Sequence, residues 1–288
     1  MSGSPVVKNH PLRPHISFSQ MSMYLRCSMQ YYFRYMLGLK DRPSLPLSIG
    51  KGGHSALESN GRYKIKHGSD MNTEDLLDLA SDFITHETDN LETSDLRGDD
   101  PGEAKDRALA SIRIFRTRDA INITPAGVEV DFNLDLNEPN EEPIRIIKGK
   151  IDLIDTSNGI EDYKFAGKMK SQPDVDLSPQ LTLYGKVFHT LTGRYPSRTG
   201  FRVFTPGSTR TTPDSRIIDR DAILMTPAAQ ESRFKRLAFQ LRQVERGIAA
   251  SIFIPTDDPR TCSWCGFRDR CQSSLVTDME AAVIRGEI

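Results

Sequence analysis

The four cysteines limit the topology of this chain more than any other feature. Cys262, Cys265 and Cys271 fall within ten residues of one another near one end, and Cys27 stands 235 positions upstream. Met1 to Pro14 contains no apolar core of a secretory signal, so a disulfide-forming compartment is not expected. In that setting the thiols read as ligands. Four thiolates, from one loop and one distant helix, can close around zinc or hold an iron–sulfur cluster. A structural zinc site ordinarily comes as two Cys-x2-Cys knuckles. Here there is one knuckle and a solitary Cys27, an asymmetry that favours the cluster and leaves zinc, or simple buried thiols, as alternatives. Trp264, Gly266 and Phe267 suit a tight loop between the C-terminal ligands. Either metal site would act as a staple joining the first helix to the last loop.

Composition sets wide bounds. The chain has 288 residues, 37% apolar and 27% charged, as an ordinary globular domain does. No run approaches the roughly 18 apolar residues of a membrane span, and the expectation is a protein of the cytoplasm, or of the host cytoplasm if phage-encoded. A net charge of −1 excludes a protein that coats nucleic acid with cations. It leaves open an enzyme with a local basic groove whose catalytic carboxylates offset the excess.

Along the chain, apolar residues from Ser17 to about Leu39 recur at helical steps. Asp41 to Pro46 reads as a loop, and Ile49-Gly50-Lys51-Gly52-Gly53-His54 as a glycine-rich turn that opens a helix at His54. Two polar helices are expected, from Glu74 to about Leu91 and from Glu103 to about Arg118. Beyond Thr124 the period shortens to two. Strands are expected over Gly127 to Leu136, Ile144 to Ile154 and Gly159 to Phe165, the last two joined by a turn at Thr156-Ser157-Asn158-Gly159. Pro179 to about Thr192 returns to helix, Gly200 to Thr205 and Arg216 to Leu224 are strand-like, and Thr226-Pro227 starts a helix that runs to about Ile252. A polar tail helix closes the chain. The order predicts an α/β core wrapped by helices.

Two acidic residues sit near the ends of adjacent strands: Asp152 in Gly149-Lys150-Ile151-Asp152 and Asp162 in Glu161-Asp162-Tyr163-Lys164. A tight turn between the strands brings them together, and Lys164, two residues after Asp162, shares its face. Two close carboxylates repel unless a cation lies between them, and hard oxygen ligands suit Mg2+ or Mn2+. His54 could add an imidazole, which tilts the preference toward Mn2+. Glu161 points to the opposite face from Lys164 and is set aside. Gln180 and Tyr184, four apart on the next helix, share one side, where an amide and a phenol can hold a water or meet a phosphate. Glu129 reads by default as an exposed strand carboxylate that touches the metal shell indirectly at most. Taken singly, each of these is ordinary surface or core chemistry. The ordered set is not.

On these residues the chain resembles the RecB-type branch of the PD-(D/E)XK nuclease superfamily, and within it the iron–sulfur members. These include the CRISPR-adaptation nucleases, the AddB nuclease domain and many phage-encoded exonucleases. The resemblance runs from Ser17 to Cys271. Cys27-x3-Tyr31-Tyr32-Phe33 is similar to the opening helix, and Gly50-x3-His54-x3-Glu58 to the motif that carries a histidine ligand. Gly149-x2-Asp152 with Asp162-Tyr163-Lys164 is similar to the catalytic core, Gln180-x3-Tyr184 to the helix motif of this branch, and Cys262-x2-Cys265-x5-Cys271 to its cluster spacing. Two departures stand out: Ser28 follows Cys27 where many relatives have proline, and Asp162 replaces a frequent glutamate.

The resemblance implies a restriction-endonuclease-like α/β fold, a mixed central sheet flanked by helices, with the N-terminal helix and C-terminal loop joined at the four-cysteine site. It implies that His54, Asp152 and Asp162 bind Mg2+ or Mn2+, that the Tyr163 carbonyl adds a ligand, and that Lys164 is catalytic, with Gln180 and Tyr184 beside it. It implies a 4Fe–4S cluster on Cys27, Cys262, Cys265 and Cys271. The expected organisation is a flexible stretch over 1–16, a nuclease domain over 17–275 with a helical insertion about 74–118, and a tail over 276–288.

The leading expectation is therefore a metal-dependent deoxyribonuclease, an exonuclease before an endonuclease, acting on single-stranded DNA or duplex ends in recombination, repair, replication or spacer acquisition. Arg194, Arg198, Arg202, Arg210, Arg233, Lys235, Arg236 and Arg242 are the candidates for a basic groove. No Walker pattern Gly-x4-Gly-Lys-Ser/Thr is present, so unwinding would fall to a helicase partner, with a recombinase or a CRISPR integrase as other candidate partners. The alternatives are a non-catalytic DNA-binding or adaptor subunit of a nuclease–helicase complex, and a zinc-stapled protein of unrelated function.

Overall fold

The computed structural model describes residues 14–41, 43–89, 91–92, 96, 99–137, 144–207 and 212–273. Residues 1–13 of the expected stretch 1–16, the tail 276–288 with its helix, and Arg210 lie outside them. The chain divides into two compact units: one of Pro43–Leu134 with Gly149–Ala238, the other of Asp135–Lys148 with the chain ends up to Arg42 and from Phe239. Among the described residues no helix is long and apolar enough to cross a membrane. The elements in chain order are β1 (His15–Ser17), α1 (Phe18–Arg26), α2 (Ser28–Tyr31), α3 (Leu45–His67), α4 (Thr73–Thr88), α5 (Pro101–Ile114), β2 (Pro125–Leu134), β3 (Ile146–Asp155), β4 (Gly159–Phe165), α6 (Gln172–Asp176), α7 (Pro179–Thr192), β5 (Arg198–Thr205), β6 (Asp214–Asp219), α8 (Pro227–Ala249) and α9 (Pro259–Ser263).

In the larger unit the expected glycine turn before His54 does not exist. Helix α3 runs unbroken from Leu45 to His67, starting with proline in its first turn and ending at Gly68 in the left-handed region (φ 75°). The glycines lie inside it for close approach. A Cβ at Gly52 would fall 2.6 Å from the Ile84 backbone, and one at Gly53 would fall 2.2 Å from the Phe165 ring. Their bare backbone lets α3 press on α4 at one point and on the end of β4 at the next, which offsets the roughly 1 kcal/mol of helix propensity each forgoes. His54 is thus a mid-helix residue, held in place by the contact that Gly53 permits.

The helices expected over 74–118 are α4 and α5. They are capped by Asn72 and Asp100, whose side chains accept from Glu74 N–H and Glu103 N–H. Both are amphipathic contributors to the core. Leu76, Leu77 and Ala80 of α4 and Ile112 of α5 pack with Ala56, Leu57, Leu153, Tyr163 and Phe204 in one buried cluster.

The sheet of this unit is mixed: β3 pairs antiparallel with β4, β4 parallel with β5, and β5 antiparallel with β6, while β2 also pairs with β3. The β3–β4 turn forms because Asp155 Oδ1 accepts from Ser157 N–H, Ser157 Oγ and Gly159 N–H, while Asn158 takes the left-handed conformation (φ 64°) that asparagine tolerates. The register pairs Leu153 with Glu161, and one further step along it sets Asp152 opposite Asp162. Helices α6 and α7 carry the chain from β4 to its parallel neighbour β5. β6 stops at Asp219, short of the expected Leu224, because Asp221 caps a 3-10 turn over Ala222–Met225.

Glu161 does face away from Lys164, and it is 1% exposed. Arg202 grips it through two bonds of 2.9 and 3.0 Å, and Arg198 adds a third at 2.8 Å. Two arginines expected to line a groove are therefore counter-ions of Glu161, Arg202 buried and Arg198 half-buried. Phe165 and Phe204 stack on that same side of the strands (4.7 Å, 11°).

In the smaller unit, β1 runs parallel to the first residues of β3, pairing His15–Ser17 with Ile146–Lys148. The opening segment is not one helix. α1 starts in a reciprocal capping box between Ser17 and Gln20 and stops at Cys27, whose extended backbone (φ −161°, ψ 102°) separates it from α2. Ser28 Oγ and Ile254 then exchange bonds, Ser28 Oγ donating to Ile254 O at 3.1 Å and accepting from Ile254 N–H at 2.6 Å. Tyr24 meets Tyr31 and Phe253 edge to face beside this contact, and Tyr31 and Phe253 stack nearly parallel (10°).

Candidate active site

Four elements of the larger unit bring seven expected residues together: His54 on α3, Asp152 on β3, Asp162, Tyr163 and Lys164 on β4, and Gln180 and Tyr184 on α7. Asp152 is 8% and Asp162 1% exposed. Asp152 Oδ2 accepts from Tyr163 N–H at 2.7 Å and lies 3.4 Å from His54 Nδ1. Asp162 Oδ1 accepts from Gln180 Nε2 at 2.7 Å and from Tyr184 Oη at 3.1 Å, and the amide also reaches the phenol at 2.9 Å. Asp162 Oδ2 lies 2.6 Å from Lys164 Nζ, yet no aligned hydrogen bond reaches it, so one buried carboxylate oxygen is left facing a cation. The Tyr163 side chain itself is core, buried against Phe115 and Phe204, so only its main chain belongs to the site.

The electrostatics are those of a crowded anionic centre. Burial, and then the Asp162 charge, push the Asp152 carboxyl up to about 8, against the Tyr163 N–H and Lys164, which favour the ionised form. Burial holds the His54 imidazole below its usual range, with Asp162 opposing and Lys164 adding to the effect. Burial followed by the Asp162 and Asp152 charges raises the Tyr184 phenol well above the ordinary tyrosine value, so it serves as a neutral donor.

One further candidate ligand escaped the strand reading. Among the described residues, the His54, Glu129 and Asp152 side chains form a group whose ligand atoms all lie within 4.8 Å of one another. Glu129 holds a left-handed backbone (φ 49°) within β2, a conformation costly for a non-glycine residue and concentrated at functional sites. Burial, and then Glu58, raise its carboxyl, while Lys150 at 3.6 Å lowers it. An imidazole and two carboxylates this close match the ligand spacing around a divalent ion with oxygen ligands near 2.1 Å. Asp162 is not one of that three-ligand group; its Oδ2 is buried, without an aligned hydrogen bond, against the Lys164 ammonium.

The basic residues divide. Arg198 and Arg202 are consumed by Glu161, and Arg233 donates to Asp176 O at 2.6 Å. Arg194, Lys235 and Arg236 are exposed, as are Lys168 and Lys170, which follow β4 directly.

The four cysteines converge in the other unit. Cys27, Cys262, Cys265 and Cys271 line one cavity of about 60 Å³ together with Phe33, Pro255 and Thr256. All are free thiols, and Cys262 Sγ donates to Thr256 O at 3.4 Å. Burial raises the Cys265 and Cys271 thiols, with Cys27 adding to both.

The model of the PD-(D/E)XK nuclease superfamily matches residues 15–272. The chain belongs to the PD-(D/E)XK nuclease superfamily. Enzymes of this superfamily are metal-dependent nucleases, and the His54–Glu129–Asp152 group is one that could hold such a metal. The fold is similar to the crystal structure of a candidate exonuclease from Eubacterium rectale, at 13% identity over 90% of each chain with a TM-score of 0.57. A second solved structure, of the protein SSO0001, covers 86% of this chain and 90% of its own at 15% identity, with a TM-score of 0.32. No curated protein sequence matches.

Proposed function

We propose that this superfamily member is a DNA exonuclease of the RecB-type branch, dependent on Mg2+ or Mn2+. The observation that carries the reading is the convergence of Asp152, Asp162 and Lys164 with an imidazole and a third carboxylate at one half-buried point. His54, Glu129, Asp152 and Asp162 Oδ2 would hold the ion, with the Tyr163 carbonyl as a further ligand. A divalent ion there supplies Lewis acidity toward the phosphate and a bound water of lowered pKa.

The protein's own groups do the rest. Gln180 and Tyr184 occupy Asp162 Oδ1 and leave Oδ2 for the cation. Lys164, its side chain 32% exposed, presents an ammonium where negative charge grows on the phosphate. Exposed Lys168 and Lys170 continue that positive edge toward the backbone of an incoming strand. Candidate partners remain a helicase, a recombinase or a CRISPR integrase. Residues 17–275 are taken as one nuclease domain.

Labelled single- and double-stranded DNA, end-blocked and free-ended, tests this with Mg2+ or Mn2+. Wild-type protein is expected to shorten free ends, while Lys164→Ala loses at least about a hundredfold in rate, as removal of an electrostatic stabiliser does. Equal cleavage by both, or by neither, overturns the assignment.

The cysteine cavity supports a 4Fe–4S cluster over zinc. Cys262-x2-Cys265 is a single knuckle, and the solitary Cys27 and Cys271 complete the lining of the same cavity, an asymmetry that favours the cluster over a two-knuckle zinc site. Anaerobically purified protein is expected to be brown, with a broad band near roughly 400 nm from thiolate-bound iron. A colourless protein with stoichiometric zinc would reverse the choice.

A further inference from the structure

Gln180 reaches Asp162 from the first turn of α7, and a buried cation lies against that turn. Arg220 is 4% exposed. Its Nη2 donates to Ser178 O at 2.6 Å and to Thr182 Oγ1 at 3.2 Å, acceptors two residues before and two after Gln180. Thr182 Oγ1 in turn donates to Ser178 O at 3.1 Å, so the three groups close a ring around the turn. Arg220 N–H donates to Thr199 O at 2.8 Å, which ties the residue to β5, the parallel neighbour of the strand that carries Asp162. The path from Asp162 through β4, β5, Arg220 and α7 back to Gln180 and Asp162 is thereby closed.

Stability alone does not account for this residue. Among the described residues no carboxylate ion-pairs with Arg220, and its Nε has no hydrogen-bond partner. Burial lowers the guanidinium to about 10, with Arg233 adding to the effect and Asp176 opposing it. A buried guanidinium with no carboxylate in direct ion-pair contact is costly, and a cation beside a helix N-terminus is on the unfavourable side of the dipole. A neutral side chain would fill the space at lower cost. What the guanidinium provides is two directed donors in a rigid plane, which fix the rotation of the turn.

We propose that Arg220 is a positioning residue for the metal site: it locks the first turn of α7 so that the Gln180 amide meets Asp162 Oδ1. The inference rests on Asp162 being a metal ligand. Groups that orient a ligand typically change metal affinity by about 10- to 100-fold when removed.

The test is a double-mutant cycle read by Mn2+ binding, with free Mn2+ followed by electron paramagnetic resonance, so that no DNA cleavage is needed. Arg220→Met and Gln180→Ala are each expected to weaken binding about tenfold, and the double variant no more than Gln180→Ala alone. Independent losses that multiply to about a hundredfold, or no loss in Arg220→Met, overturn the proposal. Arg220→Lys, which can still donate to Ser178 O, should recover part of the affinity. If Arg220→Met does not fold, Thr182→Val removes one of the two acceptors, and its smaller loss should likewise vanish when Gln180 is alanine. A second readout uses metal-free protein: the Gln180 side-chain amide protons should be protected from solvent exchange in the wild type and lose that protection in Arg220→Met. If wild-type protein binds no Mn2+, the metal reading fails, and the amide exchange still decides whether Arg220 positions Gln180.

Discussion

Replacing Asp152 with asparagine removes a charge that the metal-free site holds at a cost. The Asp152 carboxyl is pushed up to about 8 in the folded protein, by burial first and by the Asp162 charge second. In the unfolded chain an aspartate titrates near 3.9. Between those values the folded state keeps a proton that the unfolded state has released, so the unfolded state binds fewer protons and stability falls as pH rises through the window. The full loss is present above about pH 8 and absent below about pH 4. Each pH step of one inside the window costs about 1.4 kcal/mol, so from pH 5 to pH 7.5 the site costs the metal-free protein about 3 kcal/mol. Asparagine has nothing to titrate, and its carbonyl can still accept from Tyr163 N–H, so the packing stays. Urea unfolding of chelator-treated wild-type and Asp152→Asn protein at pH 5, 6 and 7.5 measures the difference. The variant is expected to gain on the wild type by about 3 kcal/mol across that range. Saturating Mn2+ should stabilise the wild type at pH 7.5 and have little effect on the variant. Parallel pH profiles without metal would refute the reasoning, because they would mean that Asp152 ionises in the folded site without hindrance.

Glu129→Gln keeps the shape of the third ligand and removes its charge, and it is expected to weaken Mn2+ binding by about tenfold or more in the same resonance titration; unchanged affinity would place Glu129 outside the metal shell. Gly53→Ala should lower the melting temperature by about 3–8 °C, because its Cβ would fall 2.2 Å from the Phe165 ring and overpacking costs about 1–3 kcal/mol. Gly50→Ala in the same helix should instead be neutral or stabilising by up to about 1 kcal/mol, since its Cβ would meet Phe165 Cβ at an ordinary 3.9 Å. Calorimetry that gives the two alanines the same sign would remove the close-approach account of α3.

The part of the site that depends on local rules was legible in the residues. A tight turn between two strands sets Asp152 opposite Asp162, and a two-residue strand period sets Lys164 beside it. A four-residue helix step brings Gln180 and Tyr184 to one carboxylate oxygen. Each follows from backbone geometry over a few residues, and each appears where the spacing puts it. The glycines before His54 were misread because glycine has two uses. Sequence shows its conformational freedom, which suggests a turn, whereas here its missing Cβ serves the packing of α3 on Ile84 and Phe165, which lie more than thirty and more than a hundred residues away.

The same limit explains the charges. Arg198 and Arg202 look like Arg194 in a sequence, and only the parallel register of β4 with β5 shows that they face and pair with Glu161. Glu129 reads by default as an exposed strand carboxylate, and its left-handed backbone departs from a regular strand at the position where it joins His54 and Asp152 in a group that could hold a metal. Arg220 gave no signal at all, because a lone arginine after a strand is ordinary until its partners prove to be a helix carbonyl and a hydroxyl on either side of Gln180. The residues that carry charge or hydrogen bonds to Asp152 and Asp162 within one hairpin or one helix turn were readable. Those that hold the hairpin and the helix in mutual register come from other strands, and their sequence neighbours say nothing about what they hold.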